Sequence, residues 1–475
     1  MSDSPLNSHR VHAFSGDALG DLDAVGVAAA IENGDISARE AAEAAIARAE
    51  KVDPALNAFV VRDFERGLHQ ADEPPAGPLS GVPTVVKDNT DVAGLPTRQG
   101  SEAIPARDAP ADADFTTQMR GTGLVVLGKS TMPEFGFNAS TEFANLPPTR
   151  NPWNTDYSSG ASSGGSAALV AAGVVPIAHA NDGGGSIRIP AAACGLVGLK
   201  PTRGRTAEMA EAAQLPVNIL SNGVVTRSVR DTAHFLAAAE AFEPAASLPA
   251  IGLVEGPSDR RLRVGLILDS VATPTDDQTR AAVQDTATLL EKLGHTVVEV
   301  PLPVTEKFIG DFTHYWALLG FSTHHFGKRT IGPDFDKAKT DPLTRYLARR
   351  FVRQAWRTPT AIRGLKRAEA TYKLGFAEQG VDLVLSPTLG HTTPRLGHLS
   401  PTVPFPEMFD RLVRYATFTP LHNAAGAPAI SLPLGQTSDG LPIGVHLSAL
   451  HGDERTLLEI AFELEDARPF AKIQD

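Results

Sequence analysis

The chain has 475 residues, of which 42% are apolar and 21% charged, ordinary values for a soluble protein with room for a large core. Its formal charge of −12 repels phosphate backbones and argues against a nucleic-acid partner. A single cysteine, Cys194, rules out an internal disulfide, so the fold needs no oxidising compartment.

The first residues, MSDSPLNSHRVHAFSGD, are polar and lack the apolar run of a signal peptide. Residues 1–17 read as a loose arm, and 18–75 as N-terminal helices. Residues 22–33 carry apolar side chains at helical spacing and stop at Gly34. Ser37 and Glu40 have capping-box spacing, and an alanine-rich helix should follow to about Val52. From about Gly81 the pattern changes. VPTVVKD (82–88), LVVLGK (124–129) and VVPIAHA (174–180) read as strands, with helix-like SAALVAAG (166–173) among them. The weakly polar stretch 167–180 is too short to span a bilayer, so a cytoplasmic protein with no membrane contact is expected.

Further strands are expected at 262–268, 296–302, 382–387, 428–434 and 442–449, with helices at 277–293 and 454–465. This alternation predicts an α/β fold: a large mixed, mainly parallel β-sheet covered by helices on both sides. Residues 76–241 form the expected catalytic core and 258–475 the C-terminal half. The Pro/Ala-rich stretch 242–257 connects them within one domain, because distant segments usually complete such sheets. The span 304–379 reads as helical. Its Phe312, Tyr315, Trp316, Phe321 and Phe326 are core residues by composition, with a ligand pocket as the alternative.

Three places can carry chemistry. Lys87 ends an apolar strand, where burial would lower its pKa and make it a base; a solvated strand-end lysine is the plain alternative. SSGASSGGS (158–166) reads as a loop leading into a helix. It contains G-x-S-x-G, but no strand directly precedes it, so a nucleophile elbow is rejected. NDGGGSIRIP (181–190) places three glycines before Ser186. Their N–H groups can surround an anion, either a phosphate or the oxyanion formed at a nucleophilic Ser186, or the glycines simply make a turn. The G-K-[ST] ending of a phosphate loop is missing. His179 lies in an apolar strand and reads as core, so lysine is the available base. Cys194 reads as packing.

These stretches resemble the amidase signature family. The likeness runs from GVPTVVKDNTDVAGLPTRQGS through NPWN, SSGASSGGSAALVAAG and NDGGGSIRIPAAACGLVGLKPTRGR to HNAAGAPAISLPLGQTSDGLPIGVHLSA. The resemblance implies a Ser–cis-Ser–Lys triad of Ser186 as nucleophile, Ser162 as cis-serine and Lys87 as base, cleaving an amide through an acyl-enzyme. It places oxyanion donors on the backbone of Gly183, Gly184, Gly185 and Ser186. Asp182 and Arg188 are expected to pair and hold the loop, with Ser163 in support. Substrate contacts are expected from Asn138, Tyr315 and Trp316. The form HANDGGGSIRIP is similar to bacterial amidases of the 6-aminohexanoate cyclic dimer hydrolase type. Two departures stand out: Ala180-Asn181-Asp182 stands where GTD is common, expected to alter packing beside the oxyanion hole, and His446 replaces a usual glutamine, expected to alter a subunit or pocket contact.

The resemblance implies a small-molecule amide as partner, no cofactor and a homodimer. Scattered histidines, with His324 and His325 adjacent, give no metal-binding spacing. The competing readings are the glutaminase subunit of a tRNA-dependent amidotransferase and a catalytically silent binding protein on the same fold.

Overall fold

The structure is a computed structural model and describes residues 9–475. Residues 1–8, part of the expected loose arm, lie outside the described residues. The rest of that arm is docked rather than loose. Val11 N–H donates to Pro152 O and Ala13 N–H to Ala172 O, both at 2.8 Å, and Ala13 is buried. Helix Ala24–Glu32 starts on an Asp23 cap. Helix Ala38–Leu56 starts on the expected capping box, with Ser37 Oγ accepting from Glu40 N–H at 3.1 Å and Glu40 Oε2 accepting from Ser37 N–H at 2.7 Å.

The strands in chain order are β1 (Phe59–Arg62), β2 (Pro83–Lys87), β3 (Val125–Ser130), β4 (Arg150–Asn151), β5 (Asn154–Ser158), β6 (Ile177–Asp182), β7 (Val197–Lys200), β8 (Ser221–Thr226), β9 (Arg263–Leu266), β10 (Thr296–Glu299), β11 (Leu383–Pro387), β12 (Ala429–Gln436) and β13 (Pro442–Ser448). They form a small sheet β1-β3-β2, the pair β4-β5, and an eight-stranded sheet ordered β10-β9-β11-β13-β12-β7-β8-β6. The α/β class and the mixed sheet agree with the sequence. The balance of directions does not. Only β10–β9 and β9–β11 pair in parallel; the other five ladders of the large sheet are antiparallel.

The reason is insertion. β6 and β7, joined through helix Arg188–Cys194, point the same way, but β8 sits between them and runs against both. β13 likewise separates β11 from β12. In each case a returning strand is slipped between two strands that run the same way.

β2 abuts β6 through side chains: Thr84 Oγ1 donates to Ile177 O at 2.9 Å. One large core draws on both halves of the chain, from Ala13 to Leu464. The span 304–379 is helical, as helices Glu306–Thr330, Pro342–Gln354, Thr358–Lys366 and Ala368–Gln379. Among the described residues no helix is long and apolar enough to cross a membrane.

The connector 242–257 is pinned from two sides. Glu240 accepts from Ile251 N–H and Gly252 N–H at 2.9 Å. Arg205 bonds Glu240 Oε1 at 3.0 Å, Pro249 O at 2.7 Å and Glu454 Oε2 at 2.9 Å, and the side chains of Arg205 and Glu454 are buried. Removing one partner of a buried pair strands the other charge. Glu454→Ala should therefore cost about 3–5 kcal/mol, read as a lowered urea midpoint. An unchanged midpoint would show that the pair does not hold the connector.

Candidate active site

β2 is a β-branched run buried at every position, and it carries Lys87 at its last residue. The lysine side chain is fully buried. Its Nζ lies 2.7 Å from Ser162 Oγ and 2.7 Å from Asn181 Oδ1. Burial pulls its pKa down to about 7, and the charge of Asp182 opposes only part of that fall. Among the described residues no carboxylate touches Nζ.

Ser162 sits in the loop between β5 and helix Gly164–Ala171, after a cis Ala161–Ser162 peptide. Gly160 has φ +73°, and a Cβ there would lie 2.7 Å from Pro190 Cα. Only glycine lets this loop rest against helix Arg188–Cys194. Ser163 Oγ donates to Asn181 O at 3.4 Å.

β6 ends at Asp182, and Gly183–Ile187 make the turn into helix Arg188–Cys194. Pro190 lies in the first turn of that helix, where a missing N–H costs nothing. Small residues on both sides let the helix approach the sheet. A Cβ on Gly198 would lie 2.5 Å from Ala191 Cβ, and one on Gly444 would collide with Ala192.

Asp182 and Arg188 pair as expected, fully buried, with Nε–Oδ2 at 2.9 Å and Nη2–Oδ1 at 3.0 Å. Burial would raise the Asp182 pKa, but the Arg188 charge outweighs it and holds the carboxyl well below the usual range. The carboxylate also organises the turn. Oδ1 accepts from Gly185 N–H at 2.6 Å and Oδ2 from Ile187 N–H at 3.2 Å. The expected oxyanion donors must be revised accordingly: the Gly185 N–H is spent on Asp182. The N–H groups of Gly183, Gly184 and Ser186 have no acceptor among the described residues. Ser186 is nearly buried, and its Oγ likewise has no partner there.

Two departures from the family pattern act differently from expectation. Asn181 does not merely alter packing; its side chain bonds the lysine. His446 is buried beside Arg188, its Nε2 3.2 Å from Nη1 and its Nδ1 3.2 Å from Ser386 Oγ, so its contact is internal to the chain. Burial, then the Arg188 charge, keeps its ring neutral. His179 is core, as expected. Its Nδ1 accepts from Lys87 N–H at 3.2 Å, and burial lowers its pKa to about 3. Cys194 is buried and its thiol pKa is raised by burial.

A cleft of about 700 Å³, mouth included, opens onto Ser186 and Gly184. Gly136 also lines it, and a Cβ on Gly136 would lie 3.0 Å from Ser162 Oγ, so the second serine is directly behind that wall. Trp316 lines the cleft with Phe308 and Phe312 of the same helix; positions 308, 312 and 316 recur every four residues on one face. Tyr315 does not line it. It points into the core, where its hydroxyl donates to Val217 O at 2.7 Å. Asn138 lines the cleft, but its amide is occupied by Leu399 O at 2.7 Å and its own oxygen by Ala139 N–H at 2.8 Å.

Sequence reasoning missed several site residues. Asn423, on helix Pro420–Ala425, donates to Asp182 Oδ1 at 2.8 Å and accepts from Arg188 Nη2 at 2.8 Å. Thr419 Oγ1 donates to Gly184 O at 2.6 Å. Asn89 bonds Asn181. Asn423 stands in the C-terminal block HNAAGAPAISLP, and Asn89 follows the lysine in KDN. Those positions were the available signal.

The family model of amidases matches residues 40–458. The chain belongs to the amidase signature family. It is an amidase, a hydrolase acting on carbon–nitrogen bonds. AmiC of Mycobacterium leprae, which is provisionally named an amidase, is 50% identical over 466 residues, covering 98% of this chain and 99% of its own. The 6-aminohexanoate-cyclic-dimer hydrolase of Paenarthrobacter ureafaciens is 34% identical, covering 94% and 95%. A solved structure of 6-aminohexanoate cyclic dimer hydrolase has a TM-score of 0.86 at 31% identity, covering 97% of this chain and 99% of that one.

Asp182→Ala would leave Arg188 without its carboxylate and two turn N–H groups without an acceptor. A loss of about 3–5 kcal/mol is expected in thermal unfolding, together with lost amide turnover. Native melting with native kcat would contradict the role given to the pair.

Proposed function

We propose that the chain hydrolyses uncharged amides through an acyl-enzyme on Ser186, with Ser162 relaying protons to Lys87. The observation that carries this reading is the 2.7 Å bond between Lys87 Nζ and Ser162 Oγ inside a fully buried site. A lysine with a pKa of about 7 is neutral in useful amounts near neutrality, so it can accept a proton. Neutral Lys87 takes the Ser162 proton as Ser162 takes that of Ser186. The Ser186 oxygen attacks the amide carbonyl, and the free N–H groups of Gly183, Gly184 and Ser186 would receive the oxyanion. The proton then returns through Ser162 to the leaving nitrogen, and water hydrolyses the ester.

The cleft supports an apolar acyl group. Phe308, Phe312, Trp316, Phe409 and Leu412 face it, and no charged side chain lines it. Glutamine would bring an ammonium and a carboxylate with no counter-charge on these walls, an expensive desolvation. This argues against the glutaminase subunit. Intact Lys87, Ser162 and Ser186 argue against a silent binding protein.

A fluorophosphonate should label Ser186, located by mass spectrometry, and Ser186→Ala should lose about 10⁴-fold or more in kcat; an adduct on Ser162 would overturn the assignment. Activity requires the deprotonated lysine, so kcat/KM should rise with pH through about 7 and level off above it. Across aryl and alkyl amides, Trp316→Ala should raise KM about tenfold while a small acetamide is little affected.

A further inference from the structure

Lys87 Nζ has three polar neighbours, and two of them belong to one residue. Ser162 Oγ and Asn181 Oδ1 each lie at 2.7 Å, and Asn181 O at 3.5 Å. The Asn181 amide is itself held. Its Nδ2 donates to Asn89 Oδ1 at 2.9 Å, and Asn89 Nδ2 donates back to Asn181 Oδ1 at 3.2 Å. This reciprocal pair ties the two amides together, with Asn181 Oδ1 turned to the lysine and Nδ2 to Asn89 Oδ1 and, at 3.5 Å, Met209 Sδ. Turned over, the amide would aim a donor at the lysine nitrogen and capture its lone pair.

A neutral amine has two N–H bonds and one lone pair. Two acceptors on Asn181 can take both N–H bonds, which leaves the lone pair for the Ser162 hydroxyl. We propose that Asn181, oriented by Asn89, is a positioning residue that turns the Lys87 amine so that its lone pair faces Ser162. The inference rests on Lys87 acting as the base.

The step balances. The Lys87 lone pair forms a new N–H bond as the Ser162 O–H bond breaks. Ser162 oxygen takes the proton of Ser186, and the Ser186 electron pair forms the C–O bond to the carbonyl. The resulting ammonium has three N–H bonds, for Asn181 Oδ1, Asn181 O and Ser162 Oγ. A bare aliphatic side chain at 181 would leave the amine free to turn its N–H toward Ser162, which is the unproductive direction.

The ionisable groups around Lys87 are few. Asp182 follows Asn181 on β6 and favours the ammonium. His179, also on β6, is neutral and accepts the Lys87 backbone N–H. Asp88, next along the chain, is paired with Lys129 of β3 at 3.2 Å. Asn181 Nδ2 also meets the uncharged Met209 Sδ at 3.5 Å. Apart from Ser162, the side chain at 181 is therefore the uncharged group in direct contact with Nζ, and its replacement should be felt there.

The test is the pH profile of kcat/KM for a nitroanilide with an apolar acyl group, measured on the full chain. Asn181→Asp sets a carboxylate against Nζ and favours the ammonium, so the acidic limb should move up by roughly one pH unit or more. Asn181→Ala removes an acceptor of the buried ammonium, so the limb should move down while the plateau falls about tenfold to a hundredfold. Asn89→Ala keeps the Asn181 side chain but frees its amide, and should give a smaller fall in the same plateau. A generic loss of packing would not move the limb in opposite directions for Asp and Ala. If Asn181→Ala does not fold, the near-isosteric Asn181→Asp and the neighbouring Asn89→Ala still decide the matter. Unmoved limbs and plateaus within about twofold in these variants, with Lys87→Ala inactive, would overturn the positioning role and leave the lysine base standing. Turnover retained in Lys87→Ala would instead overturn the reading beneath it.

Discussion

Asp182 and Arg188 are both removed from water, and neither charge is tolerable there without the other. Their partners form a closed set. Arg188 uses Nε and Nη2 on Asp182 and Nη2 on Asn423, and Nη1 faces His422 and His446. Asp182 accepts from Gly185, Ile187 and Asn423 besides Arg188. These groups come from the end of β6, the glycine turn, the helix after it, β13 and helix Pro420–Ala425. Satisfying one ion pair therefore brings residues more than 230 positions apart onto the turn that carries Ser186. The conformation of the turn follows, including which of its N–H groups are spent and which are left over.

The same burial has opposite consequences for two cations. Arg188 keeps a carboxylate in direct contact. Lys87 has only neutral oxygens from Ser162 and Asn181, so desolvation wins and its proton becomes exchangeable near neutrality. Lys200 shows the same shift in a different setting. It too is pulled to about 7 by burial, yet its Nζ bonds Pro201 O at 2.8 Å and reaches Ser221 Oγ only at 3.5 Å. Lys87 differs from Lys200 in lying beside a serine that backs onto the cleft.

Much of this was legible in the sequence. Patterns with local causes read well: the Ser37 capping box, the β-branched run ending at Lys87, the glycines before Ser186, and the Asp182–Arg188 pairing six residues apart. What failed depended on partners far away. VGLK (197–200) and SNGVVT (221–226) are short strands without strong patterning, so β7 and β8 passed unnoticed and the sheet read as more parallel than it is. Tyr315 and Trp316 are adjacent aromatics, and only the rotation of the helix against its neighbours sends one into the core and the other to the cleft. Gly185 looked equivalent to Gly183 and Gly184 until the Asp182 carboxylate took its N–H. Asn181 looked like a packing change because nothing in its own neighbourhood reveals that Lys87 arrives from 94 residues upstream.

The cleft draws its parts from separate stretches of chain. Ser186 and Gly184 at its base belong to the turn after β6, with Ser162 and Lys87 of β2 behind them. Its aromatic and aliphatic walls come mostly from helix Glu306–Thr330 and residues 409–420, with Phe137, Ala139 and Ile189 completing them. Mutation at positions such as Phe308, Phe312 or Trp316 can therefore reshape the walls while the hydrogen bonds of the Ser186 turn, Thr419 to Gly184 among them, stay in place. Under selection, the range of molecules admitted can drift quickly while the bond-breaking step stays the same. A fold divided in this way is a ready source of new specificities, because each change of diet leaves the machinery of hydrolysis inherited intact.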